Sequence, residues 1–223
     1  MKESNKKEKK KEKNNSSKID AFNRRFKTIF KNGYFYIAII VLLSGFLITM
    51  NAGNFLYKNY PDLPILHDLI LDNIPYYNIA FVYDIFNVLA MSIFFIYAYL
   101  KDYKKIPYFI FMIGLIIIAR AIFMILTPFA SPDIGYGYNG FLNRSIDFKM
   151  GVYPSGHVGV GFLVFLFSKG KIKPYLLILT IGMIITLLLA RGHYTIDLFS
   201  SVIFAYAFYC FGEKYFKNKL TIK

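Results

Sequence analysis

The chain has 223 residues, of which 56% are hydrophobic and 19% aromatic. That is enough for one compact domain, and too apolar for a water-soluble domain of that size. A formal charge of +14 would suit a nucleic-acid binder, but twelve of the 27 Lys and Arg residues fall in the first 33 positions. That segment reads as a solvated tail beside anionic lipid headgroups, so no nucleic acid is expected as a partner. Cys210 is the only cysteine, which excludes an internal disulfide and a cysteine-based metal site.

Residues 1–33 form a Lys/Glu/Asn/Ser-rich tail. Such a tail buries too little apolar surface to fold and is expected to be disordered, lying near anionic lipid headgroups. The first apolar block opens near Tyr34 and has no cleavage site, so it reads as a retained anchor. Six apolar blocks follow in order: Tyr34–Met50, Tyr77–Leu100, Ile106–Thr127, His157–Ser168, Pro174–Ala190 and Tyr194–Phe211. The expected fold is therefore all-α: a polytopic membrane protein with six transmembrane helices over 34–212 and a short basic tail at 213–223. The fourth block is short. Twelve residues give about 18 Å of helix against a bilayer core of about 30 Å. The helix runs on to Ile172, or His157 lies in a recess below the membrane surface, or both.

Charge sets the orientation. Both terminal tails and the Lys101–Lys105 and Lys169–Lys173 loops hold 22 of the 27 Lys and Arg residues. The other face holds Lys58, Arg144, Lys149 and Arg191. By the positive-inside rule both termini are cytoplasmic. Two loops on the outer face are long. Asn51–Tyr76 contains the mixed apolar and acidic stretch Asp62–Ile74, which either lies flat in the interface or packs over the bundle. Pro128–Pro154 carries Gly135-Tyr-Gly-Tyr-Asn-Gly140, and a lid over the site is expected there.

The chemistry-bearing residues converge on that outer face. Tyr153-Pro-Ser-Gly-His157 precedes the fourth block and Arg191-Gly-His-Tyr-Thr-Ile-Asp197 precedes the sixth. The chain goes inward and returns between them, so topology alone brings the two histidines to one face. Gly156 permits close backbone approach, and N–H groups at a helix start favour phosphate. Ser155 adds a hydroxyl, and His157 is placed to protonate a leaving oxygen. His193 and Asp197 are four apart and would share a helix face. Asp197 can then hold the protonated Nδ1 of His193 and leave Nε2 as a nucleophile toward phosphorus. Arg120 is a charge inside a span, which costs about 3 kcal/mol unless it faces a cavity or partner. It reads either as a bidentate phosphate ligand or as the partner of Asp84. Arg191 is a second cationic candidate, with interfacial anchoring as its alternative. Two histidines and Asp197 can also ligate zinc, but a second carboxylate at matching spacing is absent, and no metal or other cofactor is expected. His67 lies in the first outer loop without a supporting pattern.

These residues resemble the type-2 phosphatidic acid phosphatase superfamily, and most of all its sphingomyelin synthase branch. Pro154-Ser155-Gly156-His157 is similar to the superfamily's second motif. His193-Tyr-Thr-Ile-Asp197 resembles the synthase motif His-Tyr-Thr-x-Asp, and Arg120-x-Ile-x-Met-x-x-Thr127 resembles a synthase stretch of the third span. The resemblance covers roughly Tyr34 to Phe211. It implies a phosphohistidine on His193, with Asp197 orienting it and His157 protonating the leaving group without a metal. It also implies membrane lipids as partners: a phospholipid donor, and a lipid alcohol or water as acceptor. The sequence departs from both branches. Ile113, Ala121 and Leu187 stand where the phosphatases have Lys, Pro and Arg. Met150-Gly151-Val152 and Val202 stand where the synthases have Cys-Gly-Asp and Tyr. The expected function is a lipid phosphotransferase with its site on the extracytoplasmic or lumenal face, a phosphatase of lipid phosphates or polyprenyl diphosphates being the alternative. A non-catalytic membrane scaffold or transporter is the reading from another class.

Overall fold

The computed structural model describes residue 17 and residues 19–132 and 153–223. The expected lid and the Met150–Val152 departure fall outside the described residues. All regular structure among those described is helical apart from one isolated bridge residue, Ala130. In chain order the helices are α1 (19–30), α2 (Gly33–Asn59), α3 (Ala80–Lys101), α4 (Ile106–Leu126), α5 (Gly156–Phe167), α6 (Ile172–Leu189), α7 (Thr195–Tyr215) and α8 (Lys217–Leu220).

Five helices, α2, α3, α4, α6 and α7, are long and apolar enough to cross a membrane; α5 is a shorter apolar helix among them. Their outward faces carry Ile40, Leu43 and Leu47 on α2, Ile178 and Ile185 on α6, and Phe199 and Ile203 on α7, all exposed. Each such side chain leaves about 1.5–3 kcal/mol of burial unrealised in water. A few of them would cancel the 5–15 kcal/mol that holds a typical domain together. A bilayer removes that cost, so the chain is an integral membrane protein.

Helix α4 is the hub. Half of its most apolar stretch is buried, against at most 28% in the other four long helices. It packs on α2 along one side and on α5 and α7 along the other. Small residues make the α2 contact close: a Cβ on Gly114 would lie 2.7 Å from the backbone nitrogen of Leu42, and one on Gly45 would lie 3.0 Å from the Gly114 carbonyl. Phe94, Phe109, Phe167 and Tyr108 fill one end of the bundle, with Phe109 and Phe167 rings 4.9 Å apart.

Several boundaries differ from the sequence expectation. Helix α2 continues through Asn51 to Asn59, because both amides donate to carbonyls one turn back, at Leu47 and Phe55. Ala52 and Leu56 on that extension are buried beside Ala121, Met124 and Ala130. Helix α5 does not reach Ile172: it ends at Phe167, and Gly170, in the left-handed region at φ 64°, turns the chain into α6. Residues 19–30, part of the tail expected to be disordered, are helical. The 213–223 segment is docked as well, with the Ile222 N–H donating to the Lys104 carbonyl.

The loop between α2 and α3 packs over the bundle. Its 3-10 turn Leu71–Asn73 is anchored by Leu71, buried beside Phe129 and Tyr194. Further back, the Tyr77 N–H donates to the Leu189 carbonyl.

Candidate active site

Helix α6 ends in a Schellman turn: the Gly192 N–H reaches the Leu187 carbonyl and the Arg191 N–H reaches that of Leu188. Arg191 takes the left-handed position at φ 53°, where glycine is usual. That conformation costs a non-glycine residue about 1–2 kcal/mol. Its Nη2 donates to the Leu71 carbonyl at 2.9 Å and the Ile74 carbonyl at 3.4 Å, tying the α2–α3 loop to the turn. Through these two bonds Arg191 clamps the loop to the turn.

His193 stands in the turn that follows, before α7 begins. The expectation that His193 and Asp197 share a helix face is thus only half met, since Asp197 alone is helical. Asp197 sits in the first turn of α7 and reaches back. Its Oδ2 accepts the Tyr194 N–H at 3.0 Å and lies 3.1 Å from Nδ1 of His193. One carboxylate oxygen therefore caps the helix and holds the imidazole. Both residues are buried, Asp197 completely.

Ser155 is the N-cap of α5, its Oγ accepting the Val158 N–H at 3.4 Å. Its backbone N–H donates to the Asp197 carbonyl at 3.3 Å, so the heads of α5 and α7 are joined directly. Ser201, one turn below Asp197, braces the joint with its hydroxyl 2.9 Å from the Ser155 carbonyl and 2.6 Å from that of Asp197. The His157 ring lies 6.3 Å, centroid to centroid, from that of His193. Its Nε2 is 3.9 Å from Oδ1 of Asp84, and Tyr83 packs edge-on at 5.4 Å. Asp84, weighed from sequence as the partner of Arg120, thus faces His157.

Arg120 comes to the same place from α4. Its Nε donates to the Pro154 carbonyl at 2.9 Å. A Cβ on Gly156 would lie 3.2 Å from its Cδ and Nε, so the missing side chain at 156 is what lets the guanidinium lie across the head of α5. Arg120, Ser155 and Gly156 line a narrow cleft between α4, α5 and α7, which has neither His157 nor His193 in its wall. Phe123, Val160, Phe204 and Phe208 make its apolar flank.

Of the candidates, His193, Asp197, His157, Arg120, Ser155 and Gly156 come together, and Arg191 faces the loop. His67 is fully exposed beside Asp72, away from the cluster. Among the described residues, no three His, Cys, Asp or Glu side chains are grouped to hold a metal ion. Sequence reading missed Ser201, although it lies one turn from Asp197 on the same helix face. It also missed Asp68, whose Oδ2 and Oδ1 accept the Thr195 N–H at 2.6 Å and the Thr195 hydroxyl at 2.9 Å. No local signal marks Asp68, since its partner is 127 residues away. No family model matches the chain, and no curated protein sequence matches it significantly.

Proposed function

We propose that this protein is a membrane phosphotransferase that carries a phospho-group from a lipid donor to a lipid alcohol through a phosphohistidine on His193. The observation that carries the reading is the 3.1 Å contact of His193 Nδ1 with Asp197, with the His157 ring across from it. It is the chemistry of the type-2 phosphatidic acid phosphatase superfamily, with the synthase branch as the nearer parallel.

In the first half-reaction Nδ1–H of His193 donates to Asp197, and the lone pair on Nε2 attacks phosphorus. The bond from phosphorus to the leaving oxygen breaks as His157 gives that oxygen a proton. Asp197 offsets the positive charge that develops on the ring. The Arg120 guanidinium and the N–H groups at the head of α5 bind the phosphoryl oxygens. In the second half-reaction an acceptor hydroxyl gives its proton to His157, its oxygen bonds to phosphorus, and the P–N bond breaks. Free His193 is restored.

In this reading α5 is a sixth, short span, and its head lies below the membrane surface, where a lipid phosphate can reach it. The Lys and Arg distribution puts that surface on the extracytoplasmic or lumenal side. The apolar flank of the cleft suits a lipid chain beside the phosphate ligands. A second reading, hydrolysis by water, draws on His157, whose side chain keeps 23% of its exposure.

The experiment gives purified protein a phospholipid radiolabelled in its phosphate, with ceramide or diacylglycerol as acceptor. Label in a new phospholipid supports transfer. Label only in free headgroup phosphate or inorganic phosphate, across several acceptors, supports hydrolysis. No turnover with any donor removes both.

A further inference from the structure

Helix α1 lies at the end of the bundle opposite the histidines, and it divides into three faces. At 3.6 residues per turn, Ala21, Arg25, Thr28 and Ile29 share one side. That side meets the end of α3. The Tyr99 hydroxyl donates to the Phe22 carbonyl at 2.7 Å, Arg25 Nη1 reaches the Tyr99 carbonyl at 3.4 Å, and the Arg25 guanidinium lies 5.6 Å over the Tyr103 ring. Ile29 is buried. The helix is therefore fixed against the bundle at one depth.

Next to this face runs an apolar stripe, Ile19, Phe22, Phe26 and Phe30, with exposures of 59%, 54%, 47% and 42%. Phe26 and Phe30 stack at 4.3 Å, and Phe30 continues onto Phe35 at the start of α2. Phe35 is half-buried against the core, so the stripe is joined at its far end to the first turn of an apolar helix long enough to span a bilayer. On the remaining side stand Arg24, Lys27 and Lys31, all exposed, against the single carboxylate of Asp20. The sixteen residues before Ser17 add seven Lys against three Glu.

An apolar stripe, a basic face beside it and a fixed position at the start of a span match one occupant, the surface of an anionic lipid leaflet. We infer that α1 is a membrane-surface anchor that seats Phe22, Phe26 and Phe30 among the acyl chains and recognises anionic headgroups through Arg24, Lys27 and Lys31. The inference does not depend on the chemistry proposed for His193. A second copy of the chain could cover the same stripe, but it would meet the same basic face and be repelled by it.

The chain has no tryptophan, so Phe26→Trp gives a fluorophore without background. The full-length variant is reconstituted in vesicles of phosphatidylcholine alone, and of phosphatidylcholine with about one third phosphatidylglycerol. Phe22→Trp serves as the parallel probe. In the anionic vesicles the emission should shift to the blue and brominated acyl chains should quench it about twofold, with weaker quenching in the neutral ones. Changing Arg24, Lys27 and Lys31 together to Gln should remove the difference between the vesicles. Strong quenching by acrylamide with none by brominated lipid would overturn the anchor. So would shielding that ignores brominated lipid and grows with protein density, the sign of a second copy. Equal insertion in both vesicles would overturn the recognition of anionic lipid.

Discussion

At the scale of single residues, the buried Asp197 does two jobs with one oxygen, capping α7 and holding Nδ1 of His193. Asp197→Asn puts an amide where the carboxylate was, so the imidazole loses both its orientation and its counter-charge. Turnover should fall by about three to four orders of magnitude while the protein still folds. A loss of less than tenfold would mean that the contact is structural. Arg120 and Arg191 separate in the same way. Arg120→Gln removes the guanidinium at the cleft and should raise KM for the lipid phosphate as well as lower kcat. Arg191→Gly suits the left-handed backbone and removes the clamp on Leu71 and Ile74, so KM should change little. Steady-state kinetics on both variants checks this, and the reverse pattern would return Arg191 to the phosphate.

At the scale of elements, the head of α7 is held by the loop between α2 and α3. Asp68 is the hub of that contact, accepting from the Thr195 N–H and hydroxyl and from the Ile70 and Leu71 N–H groups. Burial pushes the Asp68 carboxyl up, but these hydrogen bonds outweigh it and leave its pKa below the ordinary value of 3.8. A depressed carboxylate pKa contributes stability above the unfolded value and loses it as pH falls through the folded one. The contact should therefore be unchanged from pH 7 to about 4 and weaken only below that. Asp68→Ala should cost about 0.5–2 kcal/mol at neutral pH, the range for a lost helix cap. It should show no further loss of its own on acidification, measured by thermal unfolding in detergent.

The elements also show what a sequence can and cannot reveal. Apolar runs locate five long helices because a bilayer demands length and composition in consecutive residues. The His193 and Asp197 pair is legible because its members are four apart, whether or not both are helical. Asp68 is not, because its partner Thr195 lies 127 positions away and nothing local marks it; Asp84 is visible as a charge within a span, but its neighbour His157, 73 positions on, is not. Helix α1 was hidden by composition: the lysines of 1–18 drown a three-faced pattern that begins only at Ile19. The extension of α2 was hidden by Asn51 and Asn59, polar residues that bond back to their own helix.

At the scale of the whole molecule, the account requires that the histidines and the termini lie on opposite sides of a membrane. In a Cys210→Ser background, Asp62→Cys should react with an impermeant thiol reagent added to intact cells, and Lys101→Cys only after permeabilisation. Both positions are exposed. The opposite labelling would turn the site toward the cytoplasm.

The central claim is that phosphate passes through His193. Protein mixed rapidly with a phospholipid radiolabelled in its phosphate, then quenched in alkali, should carry label that survives base and is lost in acid, as a phosphorus–nitrogen bond requires. The label should map to the peptide containing His193. His193→Ala should abolish both label and turnover, and His157→Ala should slow turnover least for donors with good leaving groups. Turnover that persists in His193→Ala would contradict the account.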